Sequence, residues 1–242
     1  MRIPKDSWLF NKPVAHRGLW GNSVVENSCT AYENAAKNGF PIEIDLYLTK
    51  DGHLVSFHDS TLTRMTGKDG FVWEYTLAEL KELRLAGTDE QIPTFDEVLE
   101  IANGRSPLLI ELKNHPNENF VEKVVERLKT YDGEFAIQSF NPLYIIKVKK
   151  LAPEFIRGIL GVKKPWAADA NSKLKRYIVS HMSLNFLAKP DFISYAHYDY
   201  PLPKRKVKNK LKLAWTITSK EDYEKIKPLV DNVIYEGFDI EK

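Results

Sequence analysis

Apolar positions along the chain alternate between two spacings. Short runs of strand length fall at residues 14–18, 42–48, 108–113, 135–140, 155–160, 192–196, 213–218 and 232–236. Stretches of helical spacing lie between most of them. In the clearest, over 117–131, Phe120, Val121, Val124, Val125 and Leu128 would share one face. Asn27 or Ser28 can cap a helix that runs to Asn38 and stops at Gly39, and Thr94 can cap one over 95–103 that stops at Gly104. Further helices are expected over 142–151, 172–187, 204–211 and 219–229. Eight strands with intervening helices predict an α/β chain folded as a (β/α)8, or TIM, barrel. A doubly wound open sheet is the alternative, weakened because no Gly-x-Gly-x-x-Gly turn follows the first strand. One segment breaks the alternation. Asp51-Gly52 is a hairpin signal, and a two-residue loop there would set Asp45 opposite His58. Residues 60–93 follow without barrel rhythm. They are expected to form a small insertion after the second strand and its hairpin, with one helix over 77–83. Residues 1–242 are otherwise expected to be a single domain, as the length allows.

Charge and cysteine content narrow the picture further. Lys plus Arg is 35 and Asp plus Glu is 33, a formal net charge of +2. That excludes a nucleic-acid partner bound through bulk charge. The single cysteine, Cys29, excludes an intrachain disulfide or a Cys-rich zinc module. The longest uninterrupted apolar run is four residues, 143–146. A membrane-spanning helix needs about 20, so no stable membrane insertion and a cytoplasmic protein are expected. The basic run 204–212 reads as a solvated helix face. Trp8, Trp20, Trp73 and Trp166 fall in predicted loops, and His181 and His197 have no evident partner.

The chemistry-bearing residues sit where apolar strands turn polar. Glu43 and Asp45 are two apart on one strand, so both leave the same face. Two carboxylates together inside a barrel repel and are costly to desolvate, and a bound divalent cation removes both costs. Oxygen donors suit Mg²⁺ or Ca²⁺. Glu111 and Lys113 repeat the spacing at the end of a strand, the place where barrel enzymes keep their chemistry. His16 and His58 also end strands. A pair of histidines divides general-base and general-acid work near neutral pH. Arg17 offers a bidentate grip on phosphate. Read alone, Glu43 and Asp45 also fit a solvated edge strand, Glu111 and Lys113 a buried ion pair, and each histidine a structural role. Three carboxylates with one divalent cation, plus Arg17 and Lys113, leave the site one positive charge, which a phosphodiester monoanion would neutralise.

His16-Arg17-Gly18, Glu26-Asn27, Glu43-x-Asp45, Asp51-Gly52 and His58-Asp59 stand in an ordered set. Thr61-Leu62-x-Arg64, Ile92-Pro93-Thr94, Glu111-Leu112-Lys113, Gln138-Ser139-Phe140 and Trp215-Thr216 continue it. Together they resemble the glycerophosphodiester phosphodiesterases, over residues 14 to about 218. The resemblance implies a TIM barrel with an insertion after the second strand. It implies hydrolysis of a small glycerophosphodiester to an alcohol and glycerol 3-phosphate, with one divalent metal, Mg²⁺ or Ca²⁺, and Mn²⁺ also admissible. It implies Glu43, Asp45 and Glu111 as metal ligands and His16 and His58 as the acid–base pair. It further implies Arg17 and Lys113 as phosphate clamp, Glu26 as supporting carboxylate, and Gln138, Phe140 and Trp215 as substrate wall. The chain departs from the family pattern at Val25, at Thr216-Ile217-Thr218 and at Tyr235-Glu236-Gly237-Phe238. A lysophospholipase D or phosphoinositide-type phospholipase on a similar barrel is the alternative activity. A barrel that binds phosphodiesters without turnover is the non-enzymatic one.

Overall fold

The computed structural model describes residues 2–163, 177 and 182–241. Nine strands among them form one sheet: β1 (Val14–Ala15), β2 (Ile42–Leu48), β3 (Leu54–Ser56), β4 (Leu108–Leu112), β5 (Phe135–Ser139), β6 (Arg157–Gly161), β7 (Phe192–Ala196), β8 (Leu211–Ile217) and β9 (Asn232–Tyr235). Their order is β1-β9-β8-β7-β6-β5-β4-β2-β3, with β1 also paired to β2. Helices separate the parallel strands along the chain, and only β3 is an antiparallel addition. The fold is the expected (β/α)8 barrel. By contact density the chain divides into two compact units, residues 15–135 and residues 1–14 with 136–242.

In residues 15–135, β2 is buried along its whole length and pairs in parallel with β4. Strands covered on both faces read as continuous apolar runs, so Glu43 and Asp45 interrupt β2 conspicuously. The first strand is shorter than expected. It ends at Ala15 because Arg17 and Gly18 take left-handed backbone, with φ of 58° and 86°. Ser28, not Asn27, caps helix Cys29–Lys37, accepting from the Ala31 N–H. Thr94 and Glu97 form a reciprocal capping box on helix Phe95–Ala102. Helix Phe120–Leu128 keeps the expected apolar face.

The hairpin register differs from expectation by one residue. Leu46 pairs with Ser56, and the Phe57 N–H donates to the Asp45 carbonyl at 3.0 Å, so Phe57 rather than His58 lies opposite Asp45. The cause is the loop. The Thr49 hydroxyl bonds Asp51 and accepts from the His53 N–H, and the Thr49 N–H closes on the His53 carbonyl. Three residues therefore turn the chain, with Gly52 at φ 88°, the left-handed position that three-residue hairpins require. Residues 60–93 hold the one-turn helix Thr63–Thr66, helix Leu77–Lys81 and two 3₁₀ turns. Leu62, Met65, Val72, Leu80, Leu85 and Ile92 build a small apolar core there against Tyr47, Val55 and Phe57 of the hairpin.

In residues 136–242, β6 to β9 pair in parallel. Gly158 and Gly161 of β6 leave room for the rings of Phe192 and Tyr195 on β7, since a Cβ at either would fall 2.1 or 2.3 Å from the facing ring. Helix Pro142–Leu151 has the expected bounds. Strand β6 starts two residues later than expected, because Ala152–Phe155 closes a turn first. The expected helix over 204–211 is a single turn, Lys204–Val207, and β8 already begins at Leu211. The helix ends at Lys208, whose ψ of 124° leaves the helical region, and Asn209 follows in left-handed backbone at φ 57°. Helix Lys220–Ile226 continues as the 3₁₀ turn Lys227–Leu229, and Ser7 caps a short helix, Trp8–Asn11, that the pattern does not signal. The helix expected over 172–187 lies mostly outside the described residues, as do Trp166 and His181; helix Asn185–Ala188 is described.

Candidate active site

The backbone between β1 and helix Cys29–Lys37 sets the first side chains. The Leu19 N–H donates to the Ala31 carbonyl at 2.9 Å. A Cβ on Gly18 would lie 2.7 Å from the Ala31 backbone carbon, so both its φ and the close approach demand glycine. This turn brings the Arg17 N–H to 3.2 Å from Glu43 Oε2, with His16 Nε2 at 3.9 Å from the same oxygen.

Beneath that turn, register does the rest. Asp45 of β2 stands directly beside Glu111 of β4, and Glu43 precedes Asp45 on the same face. The three carboxylates are buried, and their ligand oxygens all lie within 4.8 Å of one another. Lys113 places its Nζ 2.9 Å from Asp45 Oδ1 and 2.9 Å from Glu111 Oε1. Asn27 Nδ2 donates to Asp45 Oδ2 at 3.0 Å. The fully buried Tyr32 donates its hydroxyl to Asn27 Oδ1 and sits 2.6 Å from Ser56 Oγ, which itself donates to the Asp45 carbonyl. Sequence reasoning assigned none of this support to Asn27, Tyr32 and Ser56. Asn27 looks like a helix cap in sequence, and its partner is 18 residues away.

The electrostatics divide the acids. Burial, reinforced by the charges of Asp45 and Glu111, drives the Glu43 carboxyl well above its ordinary range. Burial also raises Glu111, although Lys113 opposes it. For Asp45 burial is outweighed by Lys113, His58, Arg17 and the Asn27 hydrogen bond, so it stays ionised. Lys113 is held protonated, because Asp45 and Glu111 outweigh its own burial.

A second chain of charges leads away from this cluster. His58 Nδ1 is 2.7 Å from Asp59 Oδ1. Arg64 donates through Nε to Asp59 Oδ2 at 2.6 Å and through Nη2 to Glu26 Oε1, also at 2.6 Å. Arg17 Nη1 donates to the same Glu26 oxygen at 2.9 Å, and Arg17 Nε lies 3.8 Å from Asp45 Oδ2. Burial and the Lys113 charge lower the His58 pKa, against Asp45 and Asp59, which raise it. Burial of Glu26 is outweighed by the two arginines, so its carboxyl is held below the ordinary range.

Every charged residue singled out from sequence thus meets another in residues 15–135. Gln138, Phe140 and Trp215 belong to the other unit. Phe140 and Trp215 meet edge to face, centroids 5.6 Å apart at 89°. Gln138 is buried, and its Oε1 has no hydrogen-bond partner among the described residues. His115, which the sequence reading passed over, has both ring nitrogens engaged, Nε2 at the Leu48 carbonyl and Nδ1 at the Asn117 N–H. Those partners make it structural.

Three buried carboxylates at this separation fit a hard divalent cation. An ion would offset the burial and the neighbouring charges that drive the Glu43 pKa up. A parallel barrel that groups three acids with a lysine, two histidines and an arginine is the layout of a phosphodiester hydrolase. The profile of the glycerophosphoryl diester phosphodiesterase family matches residues 16–239, and the chain belongs to that family. Its members include a glycerophosphodiester phosphodiesterase from Caldanaerobacter subterraneus subsp. tengcongensis, 37% identical over 242 residues, covering 91% of this chain and 92% of that protein. Among solved structures, an Oleispira antarctica phosphodiesterase in complex with the product sn-glycerol-3-phosphate is 26% identical, with a TM-score of 0.78 over 93% of this chain and 92% of its own. A glycerophosphodiester phosphodiesterase from Parabacteroides distasonis, 24% identical, shares the fold with a TM-score of 0.74 over 93% of this chain and 92% of its own. The chain is therefore an enzyme of the glycerophosphodiester phosphodiesterase class. No helix among the described residues is long and apolar enough to cross a membrane.

Proposed function

We propose that this enzyme releases glycerol 3-phosphate and an alcohol from small glycerophosphodiesters by two-histidine catalysis at a single divalent cation. The convergence of Glu43, Asp45 and Glu111 within 4.8 Å carries the reading. These three would hold Mg²⁺ or Ca²⁺, with Mn²⁺ also admissible. The cation would withdraw charge from the non-bridging phosphate oxygens. Arg17 and Lys113 bind those oxygens from the protein side. His16 takes the proton of the attacking hydroxyl as its oxygen bonds to phosphorus; where that hydroxyl is the substrate's own glycerol hydroxyl, water then opens the cyclic phosphate to glycerol 3-phosphate. His58 gives a proton to the alkoxide as the bond from phosphorus to the leaving alcohol breaks. Asp59 accepts from Nδ1 of His58 and leaves Nε2 to face the substrate. Burial lowers the His58 pKa, and a bound phosphodiester anion acts in the opposite direction. Gln138, Phe140 and Trp215 contact the substrate's organic part, and the unpartnered Gln138 oxygen supports this by offering an acceptor for a hydroxyl. Residues 1–242 act as one catalytic domain, with 60–93 as its insertion. The test is a turnover panel of glycerophosphocholine, glycerophosphoethanolamine, glycerophosphoinositol and lysophosphatidylcholine, each with Mg²⁺, Mn²⁺ and Ca²⁺. Turnover of the first three, abolished by chelation, is expected. Turnover of lysophosphatidylcholine alone would favour the lysophospholipase D activity instead.

A further inference from the structure

We infer that Arg64 is a positioning residue that ties the proton donor and the phosphate clamp into one unit. Arg64 bonds Asp59 and Glu26 rather than the Glu43, Asp45 and Glu111 cluster. It sits on a one-turn helix, Thr63–Thr66, closed by left-handed Gly67 at φ 71°. Leu62 and Met65 anchor that turn in the small core of residues 60–93, which points Arg64 away from it. From there one guanidinium engages two carboxylates with different clients. Its Nε and Nη2 take both oxygens of Asp59, at 2.6 and 3.1 Å, and Asp59 holds His58 Nδ1 at 2.7 Å. The same Nη2 reaches Glu26 Oε1 at 2.6 Å, and Glu26 holds Arg17 Nη1 at 2.9 Å.

The arrangement is too exposed to exist for stability. The Arg64 side chain is 47% exposed, and ion pairs with that much water contribute about 0–1 kcal/mol. Its geometry is what matters. A carboxylate bonded through both oxygens cannot rotate about its terminal bond, so Asp59 presents one fixed lone pair to His58. Glu26 is held differently: its Oε1 accepts from both arginines, so Arg64 sets where that one oxygen lies for Arg17. Lysine could not replace this fork, because an ammonium is a point charge without two parallel donors. The insertion then acts as a brace that registers donor and clamp against each other.

The inference rests on the roles proposed above for His58 and Arg17, and its test separates the two. Steady-state kinetics are measured at saturating metal with glycerophosphocholine and with a nitrophenyl phosphodiester, whose leaving group needs little protonation. The Asp59 arm should affect kcat in a leaving-group-dependent way, and the Glu26 arm should raise KM for both substrates. Asp59→Asn is expected to lower kcat for glycerophosphocholine about 10- to 100-fold, the usual cost of an outer partner, with most of it recovered on the nitrophenyl substrate. Glu26→Gln is expected to raise KM on both substrates with kcat nearly kept. Arg64→Ala should show both signatures, and Arg64→Lys a weaker version of both. Adding Asp59→Asn to Arg64→Ala should then lower kcat little further. Equal losses on both substrates with KM unchanged, or no loss at a wild-type Tm, would overturn the inference. If Arg64→Ala does not fold, Arg64→Lys decides, and wild-type values for it overturn the inference. His58→Ala and Arg17→Ala run alongside. Full activity in those two would sink the roles themselves, whereas their impairment beside an unaffected Arg64→Ala sinks only the brace.

Discussion

Residues 15–135 and residues 136–242 are built under different constraints. In the first, each functional side chain is charged and answers to another: Lys113 to Asp45 and Glu111, Arg17 to Glu26, Arg64 to Asp59, Asp59 to His58. Asp45 and Glu111 are buried, where a charge without its partner is costly, while the more exposed Arg64 and Asp59 depend on each other for geometry. In the second, Gln138 is neutral, and Phe140 and Trp215 meet through ring edges. Shape and area constrain such residues, and those tolerate substitution. The departures at Thr216-Ile217-Thr218 and Tyr235-Glu236-Gly237-Phe238 fall in this second unit. Val25, the departure in the first, is an apolar residue beside the charged Glu26.

Predictions follow from that contrast, the largest effect first. Glu43→Gln should abolish metal-dependent turnover and weaken cation binding measured by calorimetry. The metal-free variant should melt at or above the wild-type temperature, because the neutral amide avoids the cost of burying a carboxyl whose pKa burial drives up. Unchanged turnover would detach the acid cluster from the reaction. His16→Ala and His58→Ala should each lose about 10²–10⁴ in kcat, the size of a general acid–base contribution. A nitrophenyl phosphodiester should rescue His58→Ala and leave His16→Ala impaired; the reverse pattern would exchange the roles. In the other unit, Trp215→Ala should raise KM about 10-fold, as for one apolar pocket contact, with kcat within about 3-fold. A loss of kcat on the histidine scale would erase the distinction between the units. The smallest effect concerns acid stability. Burial of Asp59 is outweighed by its bonds to His58 and Arg64, so its folded pKa lies below the unfolded one. The unfolded chain therefore takes up the proton first as pH falls, and the stabilisation, present above the ordinary carboxylate pKa, is lost in acid. Asp59→Asn should flatten the decline of stability between about pH 5 and 3 by less than about 1 kcal/mol; a decline as steep as wild type would show that Asp59 contributes nothing to it.

Much of this was legible before any coordinates. Strands β2 and β7 and helix Pro142–Leu151 have the expected bounds, because buried parallel strands and a Pro-started helix write continuous local signals. The acids were legible for the opposite reason, as polar residues interrupting those runs. What escaped depends on contacts between distant positions. The hairpin register is decided by the Thr49 hydroxyl rather than by the Asp-Gly pair. The run at 204–211 has helical composition, yet Asn209 turns left-handed and the strand begins early. Arg64 finds Glu26 across 38 residues, and Tyr32 finds Ser56 across 24. No periodicity marks such pairs.

The bridge from Lys113 to Asp45 and Glu111 has a consequence for how the protein is made. In small domains whose anionic ligands have no counter-ion of their own, folding waits for the metal, and a chelator unfolds them. Here the chain carries its own counter-ion, buried with the acids and held protonated by them. A newly synthesised molecule can therefore complete its barrel before encountering any cation. On the metal role proposed above, the apoprotein is expected to stay folded through chelation and to regain turnover on resupply without refolding.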